Sequence, residues 1–549
     1  MKTTLQTRFG MTMNSLYLLV VAFFALAVAY NHLQIVSHEY PLDYNETGML
    51  VTTATIAHGD NPYSLESQPI RVSLYPVLYN ILVAPLSRVF GNTLELHRAV
   101  NGLFILGSCA ICFYLCRRDS ATRTESLTAA VLVYAGLLFY STPIASINGL
   151  GLFLFLSAIA IPWVYGFSTR SLAVSIVFGL LAFYTKQYFI ASLGYVALYL
   201  FLAESKKRAI YFGLAALAAF IVVLALVSYS SPYYLEATVY AVQSSAKKAA
   251  SDDHLISQVR EFVQIYLPLL FILSVAVVCR LYSKALVSER RGQPSPKARL
   301  VNVFDLDKPL FSFKTNYIWV CCACSVIIIF FVLGKNRGNH LTYFFQFISP
   351  FLLIGIFALI SDMPKWCWPF RILILIALYN SYVMLPADFS VKEESWQRVR
   401  IEMASANEIY ASSLVLQYVL EKDAPIYLSP STRYYVVAND KPSFLIDMQQ
   451  KDTVPEIWER YVNLIHGKIQ KREFDLLLID NWMPFPTSIQ DSAKKTETLL
   501  ESMQRVKVDT ERLLKANYMM TAEITLPLVK RPGGGNYQLQ IWKPIEGKN

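Results

Sequence analysis

The sequence predicts an α-helical polytopic membrane protein of eleven spans, followed by a C-terminal α/β domain on the outer side. Three observations predict it. First, 54% of the 549 residues are hydrophobic and only 16% are charged, whereas a soluble domain carries roughly a quarter charged residues. Second, the apolar residues gather in runs of about twenty, the length a helix needs to cross about 30 Å of hydrocarbon while satisfying its own backbone. Third, the basic residues collect in alternate loops.

The runs are 13–30, 96–116, 126–141, 147–165, 172–184, 188–202, 209–228, 262–281, 317–333, 341–360 and 367–385. The fifth and sixth abut at Thr185. The first follows Lys2 and Arg8 without a small-residue cleavage site behind it, so it reads as a retained span.

The net charge of +10 does not point to nucleic acid, because its carriers follow loops instead of one face. Lys2 and Arg8 at the N-terminus, Arg117, Arg118 and Arg123 after the second span, Lys206, Lys207 and Arg208 after the sixth, and Lys284, Arg290, Arg291, Lys297 and Arg299 after the eighth all fall in alternate loops, on one side. The positive-inside rule puts these in the cytoplasm, with the N-terminus, and everything after Leu385 outside. All eight cysteines fall in spans, towards the predicted cytoplasmic ends. That suits an oxidising outer compartment and supplies no disulfide framework. Cys109, Cys112 and Cys116 read as small buried side chains on an apolar helix, not as metal ligands.

Three regions depart from the hydrophobic pattern. The outer loop 31–95 is longer than a connector needs and is a candidate functional segment. Within it, Glu46 to His58 reads as a short helix. Ser73 to Phe90, with Pro76, Pro85, Tyr75 and Tyr79, reads as interfacial. The segment 229–260 predicts an interfacial helix. The tail 386–549 alternates helical patterns with short strands at 426–429, 434–438, 476–480, 524–529 and 537–542, a small α/β domain. Gly533, Gly534 and Gly535 sit between two strand patterns and predict a hairpin turn, not a phosphate loop. The division is therefore 1–385 membrane and 386–549 tail.

Two carboxylates, Asp43 and Glu46, lie just beyond the first span at a spacing that lets both face one side. Beside aromatic groups at a membrane surface, a carboxylate can serve as a general base. The same residues suit a helix start, with Asp43 or Asn45 as cap and Glu46 favouring the dipole. Spacing alone leaves the two readings equal. Lys186, at the predicted outer junction of two spans, needs a partner or a water-filled cavity; the competing reading is a lysine snorkelling to the interface. Lys335, Arg337 and His340 crowd a short outer loop against the positive-inside rule. Arginine there suits bidentate phosphate binding, and Gly334 and Gly338 permit close backbone approach. No Walker loop, zinc spacing or Gly-x-Ser-x-Gly elbow occurs.

The runs 43–48 (Asp-Tyr-Asn-Glu-Thr-Gly), 59–63 (Gly-Asp-Asn-Pro-Tyr) and 74–79 (Leu-Tyr-Pro-Val-Leu-Tyr) resemble the first outer loop of bacterial glycosyltransferases with the GT-C fold. That superfamily includes lipid A aminoarabinose transferases and protein O-mannosyltransferases. The Lys186-Gln187 pair and the segment 334–346 are similar to its later motifs. Asn45 and Thr47 stand where its nearest members carry glycine, and Val77 replaces a proline.

The resemblance covers about the first 390 residues in layout and implies inverting sugar transfer from a polyprenyl-phosphate donor to a glycolipid, polysaccharide or protein acceptor. The site would be the periplasmic face of a bacterial inner membrane. An acidic residue of the first loop is then the base, Asp43 being favoured over Glu46. Lys186, Arg337, Lys335 and His340 would hold the donor phosphate, and Tyr63, Tyr75, Gln187, Tyr343 and Gln346 would line the substrate groove. No nucleotide cofactor is implied; a divalent metal stays open, although no ligand set is evident. Membrane lipids are partners and nucleic acid is not. A flippase of a lipid-linked sugar and a non-catalytic scaffold are the alternative functions; the inverted repeats and broken helices a transporter predicts are not found.

The topology is checked by reporter fusions: one at Ser205 is expected to score cytoplasmic and one after Asn549 outer. A cytoplasmic C-terminus would mean the span count is off by one.

Overall fold

The computed structural model describes residues 2–43, 45–64, 73–118, 121–231, 233–240, 251–289, 317–335, 340–361, 367–385, 393–422, 425–428, 456–480, 510–526 and 537–545. Each of the eleven apolar runs is helical over most of its length. In order the helices are α1 (Lys2–Ser37), α2 (Glu46–His58), α3 (Leu78–Phe90), α4 (Leu94–Arg118), α5 (Arg123–Leu137), α6 (Asn148–Val164), α7 (Thr169–Phe183) and α8 (Ala191–Tyr199). There follow α9 (Lys206–Ser230), α10 (Asp252–Glu289), α11 (Tyr317–Ile328), α12 (Ser349–Ser361) and α13 (Cys367–Val383). Short π-helical turns lengthen α8 to Glu204 and α11 to Leu333, and another, Phe344–Ile348, leads into α12. Among the described residues six helical segments are long and apolar enough to cross a membrane, from Met13–Ser37 to Phe344–Ser361. Of the shorter apolar helices, Asn148–Val164 sits inside the bundle, whereas Thr169–Phe183 and Tyr317–Leu333 also present exposed apolar side chains such as Val177 and Phe331.

Burial sorts the helices by neighbour. Along α6 and α12 nearly every side chain is buried. On α9, by contrast, Leu214, Leu217, Ile221, Val222 and Leu226 all face outwards, an apolar exterior that only lipid can cover cheaply. Helix starts follow local chemistry. Thr122 and Glu125 form a reciprocal capping box on α5, and Asp252 and Asp253 open α10, where the helix dipole favours them.

In the membrane part the structure departs from the sequence reading in two places and agrees with it in a third. The run 126–141 is helical only to Leu137: Tyr140 takes a left-handed φ of 48° and Pro143 follows, so 138–147 is an irregular, buried linker. Its freed polar groups are met by side chains from other helices. Around 229–260, α9 continues to Ser230 and α10 starts at Asp252, with one π-helical turn (Glu236–Tyr240) described between them. The predicted helix 46–58 is α2, which stops at Gly59 (φ 92°), the left-handed C-cap that glycine adopts without strain.

The tail carries α14 (Glu393–Ala404), β1 (Ile409–Ala411), α15 (Leu416–Glu421), β2 (Tyr427–Leu428), α16 (Glu456–Gln470), β3 (Leu476–Asp480), β4 (Tyr518–Leu526) and β5 (Tyr537–Pro544). The sheet order is β2-β1-β3-β5-β4; the first three strands are parallel, and β5 runs antiparallel to β3 and β4. β1 is too short for an alternating pattern and was not expected. β4 starts at Tyr518 instead of 524, with an irregularity between Met520 and Ala522. The expected strand 434–438 and the Gly533–Gly535 turn lie outside the described residues.

The crossing of α4 and α6 positions the site and depends on one glycine. Asn101 on α4 accepts from the Gly149 amide (2.8 Å), and a Cβ on Gly149 would lie 2.2 Å from the Asn101 Oδ1 and 2.7 Å from its carbonyl oxygen. Gly149→Ala is therefore expected to cost about 1–3 kcal/mol of stability by overpacking. Thermal unfolding in detergent reads it, and an unchanged midpoint would contradict the close approach.

Candidate functional site

The connection from α1 to α2 is organised by Glu46, the first residue of α2 and fully buried. Arg98, buried on the first turns of α4, donates from Nε to Glu46 Oε1 and from Nη2 to Oε2, both at 2.8 Å. The same carboxylate accepts from the Ala145 amide (2.7 Å) and the Leu42 amide (2.5 Å). Arg98 also donates to the carbonyls of Tyr40 (2.8 Å) and His38. Burial by itself would push the Glu46 carboxyl up, but the Arg98 guanidinium, its hydrogen bonds and the two amides outweigh it and hold the group below the usual carboxylate range. A fork-shaped cation meeting a fork-shaped anion is the geometry in which a buried pair is held best.

Asp43, also buried, is turned to a different partner. Its Oδ1 accepts from the Asn45 amide (2.9 Å) and from Asn45 Nδ2 (2.8 Å), and its carbonyl accepts the Glu46 amide (3.2 Å). Asn45 precedes α2 but makes no side-chain cap. Both Glu46 oxygens are committed to a cation and to backbone amides, and Asp43 Oδ1 accepts from neutral donors of Asn45.

Lys186 occupies the turn between α7 and α8. It is 4% exposed, donates to Asn148 Oδ1 (2.8 Å), and lies 4.9, 5.1 and 5.6 Å from the ring centroids of Tyr188, Tyr75 and Tyr343. The tyrosine faces attract the ammonium, but burial pushes its pKa down to about 7. A buried cation with one amide oxygen and three aromatic rings about it is poised to gain from an incoming anion.

The other predicted residues divide between this cage and contacts elsewhere. Tyr343 packs edge-on to Tyr188 at 5.0 Å. Tyr63 braces the cage from behind, donating to the Tyr75 carbonyl (2.7 Å) while its ring packs on Tyr234. Gln187 turns to backbone, donating to Thr238 (2.6 Å) and Leu74. Gln346 donates to Thr142 Oγ1 (3.1 Å). Lys335 pairs with Asp252 (2.6 Å) at the surface and His340 Nε2 with Glu261 (2.7 Å), both acids on α10. Arg337 lies outside the described residues. Among the described residues no three His, Cys, Asp or Glu side chains come together as a metal-ligand set.

Both halves hang on the 138–147 linker. Ala145 holds Glu46, and Asn148, three residues on, holds Lys186, so their Cα atoms are at most about 11 Å apart. Asn101 fixes the linker by donating to the Ile144 carbonyl (2.8 Å) and to that of Thr142. Asn148 Nδ2 reaches the Ser141 carbonyl (2.9 Å), and Ser141 meets Thr342 (3.3 Å). Arg98, Asn101 and Asn148 were missed in the sequence. The signal was present, because polar and ionisable residues inside apolar runs mark sites by default.

No family model matches the chain and no curated protein matches it. Solved structures do. The crystal structure of ArnT from Cupriavidus metallidurans bound to undecaprenyl phosphate aligns over 95% of this chain and 97% of its own, with a TM-score of 0.57 at 10% identity. Its apo state covers the same shares with a TM-score of 0.46 at 11% identity. ArnT is a GT-C lipid A aminoarabinose transferase. The chain therefore has the GT-C fold expected from its motifs, helical membrane bundle and C-terminal sheet together.

Removing half of the buried pair is expected to hurt more than removing all of it. Arg98→Gln leaves Glu46 charged and uncompensated and should cost about 3–5 kcal/mol, while Arg98→Met with Glu46→Met should be milder. Thermal unfolding of the purified variants reads this; wild-type stability in Arg98→Gln would contradict it.

Proposed function

We propose that the protein is an inverting membrane glycosyltransferase that moves a sugar from a polyprenyl-phosphate donor to a hydroxyl of an envelope glycolipid, polysaccharide or protein. The reaction is assigned to the periplasmic face of a bacterial inner membrane. The observation that carries the reading is the buried Lys186 in its tyrosine cage, tied through 141–148 to the segment bearing Asp43. It sits in a fold of which one solved example, ArnT from Cupriavidus metallidurans, holds undecaprenyl phosphate.

In this reading Asp43 takes the proton of the acceptor hydroxyl as its oxygen attacks the anomeric carbon. The bond from that carbon to the phosphate oxygen breaks, its electron pair leaving with polyprenyl phosphate. Lys186, released from Asn148, offsets the charge that grows on the phosphate. Arg337, Lys335 and His340 are assigned to the same anion, and Tyr75, Tyr343, Gln187, Gln346 and Tyr63 to the groove or its support. Glu46 supports this assignment by being spent: a carboxylate bound to Arg98 and two amides is a poor base.

Purified protein with a synthetic polyprenyl-phosphate sugar tests it. Asp43→Asn is expected to lower turnover by roughly two to four orders of magnitude with donor binding kept. Movement of intact donor across a vesicle membrane without transfer would favour the flippase instead. The Lys186 pKa of about 7 adds a pH signature. A sugar phosphodiester keeps its single charge through this range, but the ammonium is lost as pH rises. Donor kcat/KM should therefore fall above about pH 7, and Lys186→Arg, charged throughout, should flatten the profile. A flat wild-type profile would contradict the role of Lys186.

A further inference from the structure

The contacts that this reaction leaves unused lie where the tail meets the α1–α2 connection. Trp396 of α14 stacks on Tyr40, with ring centroids 5.5 Å apart and planes at 9°, and both side chains are buried. Arg400, one turn further on, pairs with Glu39 (2.5 Å), and Gln417 donates to the Glu39 carbonyl. Leu420 of α15 packs against Leu50, Leu94 and Ala145. Two of the residues so covered are among those whose backbone completes the buried pair: the Tyr40 carbonyl accepts from Arg98 and the Ala145 amide donates to Glu46.

We propose that the α/β tail is a positioning element for the reaction, with Trp396 and Leu420 pressing Tyr40 and Ala145 onto the Arg98–Glu46 pair and so fixing the backbone that carries Asp43. The inference rests on Asp43 being the base. Asp43 follows Tyr40 by three residues and precedes Glu46 by three, so its carboxylate can stray only as far as those two anchors allow. The tyrosines of the cage pack elsewhere. Tyr75, Tyr188 and Tyr343 pack in the main helical cluster, whereas Trp396, Tyr40 and Val51 belong to a cluster shared with the sheet. Loosening the tail therefore misplaces the base first, while Lys186, joined to the linker through Asn148, keeps its three tyrosines. A misplacement of about 1 Å costs a catalytic group up to about a hundredfold in rate.

The test compares full-length wild-type protein with Trp396→Ala, Leu420→Ala, Arg400→Glu and the swap Arg400→Glu with Glu39→Arg. Amide exchange of peptides spanning 38–50 and 141–149 is measured by mass spectrometry, alongside kcat, donor KM and undecaprenyl phosphate binding. The expected result is faster exchange in both peptides and kcat reduced about tenfold to a hundredfold, with donor KM and phosphate binding within twofold of wild type. The charge swap should recover protection and kcat. Arg400→Glu, a half-exposed position, keeps the test open if Trp396→Ala fails to fold. Unchanged exchange, unchanged kcat despite faster exchange, or a parallel loss of kcat and phosphate binding would each overturn the proposal. Inactive wild-type protein would defeat the transferase reading instead, and the exchange comparison would still decide whether the tail holds this segment.

Discussion

A buried carboxylate–guanidinium pair, Glu46 with Arg98, is the constraint on which the rest of the site depends. Arg98 reaches back from α4 to Glu46 and to the carbonyls of Tyr40 and His38, so one side chain closes the whole α1–α2 connection. Glu46 in turn accepts the Ala145 amide and anchors the 138–147 linker. Such a pair is not a net source of stability, because desolvating two charges costs about what their attraction returns. Its value lies in uniqueness: with either partner misplaced, a charge is left buried and unpaired, so alternative loop arrangements are strongly disfavoured. The irregular backbone of 138–147 follows the same logic, since buried carbonyls there are met by Asn101 and Asn148 instead of water.

That scaffold separates three kinds of charge. Glu46 is neutralised and fixed. Lys186 is buried against tyrosine faces and one amide, a setting that favours an anionic ligand over solvent. Lys335 and His340 rest on acids of α10; to engage a phosphate, Lys335 would exchange Asp252 for it, which its exposure makes cheap.

Much of the fold was legible because lipid imposes it. Helices must satisfy their own backbone in hydrocarbon, so long apolar runs favour helix; every predicted run is helical over most of its length, and among the described residues six helical segments are long and apolar enough to cross a membrane. The irregular end of the run 126–141 was not legible. Its carbonyls are satisfied from α4 and α6, and no local pattern reports that. Strand β1 was hidden for a similar reason: three residues acquire their identity from pairing with β2 and β3. In the site, the presence of Asp43, Glu46 and Lys186 was legible, but the difference between the carboxylates was not. It is decided by Arg98, 52 residues away, and Ala145, 99 residues away. Arg98 could have been flagged by its place in an apolar run; its choice of Glu46 could not.

The account's central claim is that Glu46 is locked by Arg98 while Asp43 and Lys186 face the reacting groups. The most direct measurement is a cryo-electron-microscopy structure in a lipid nanodisc with a non-hydrolysable polyprenyl-phosphonate sugar bound. The account predicts a phosphonate oxygen within hydrogen-bond distance of Lys186 Nζ, the Glu46–Arg98 pair intact, and the Asp43 carboxylate on the acceptor side of the anomeric carbon. A phosphonate lodged away from Lys186, or Glu46 released from Arg98 and turned to the sugar, would contradict it.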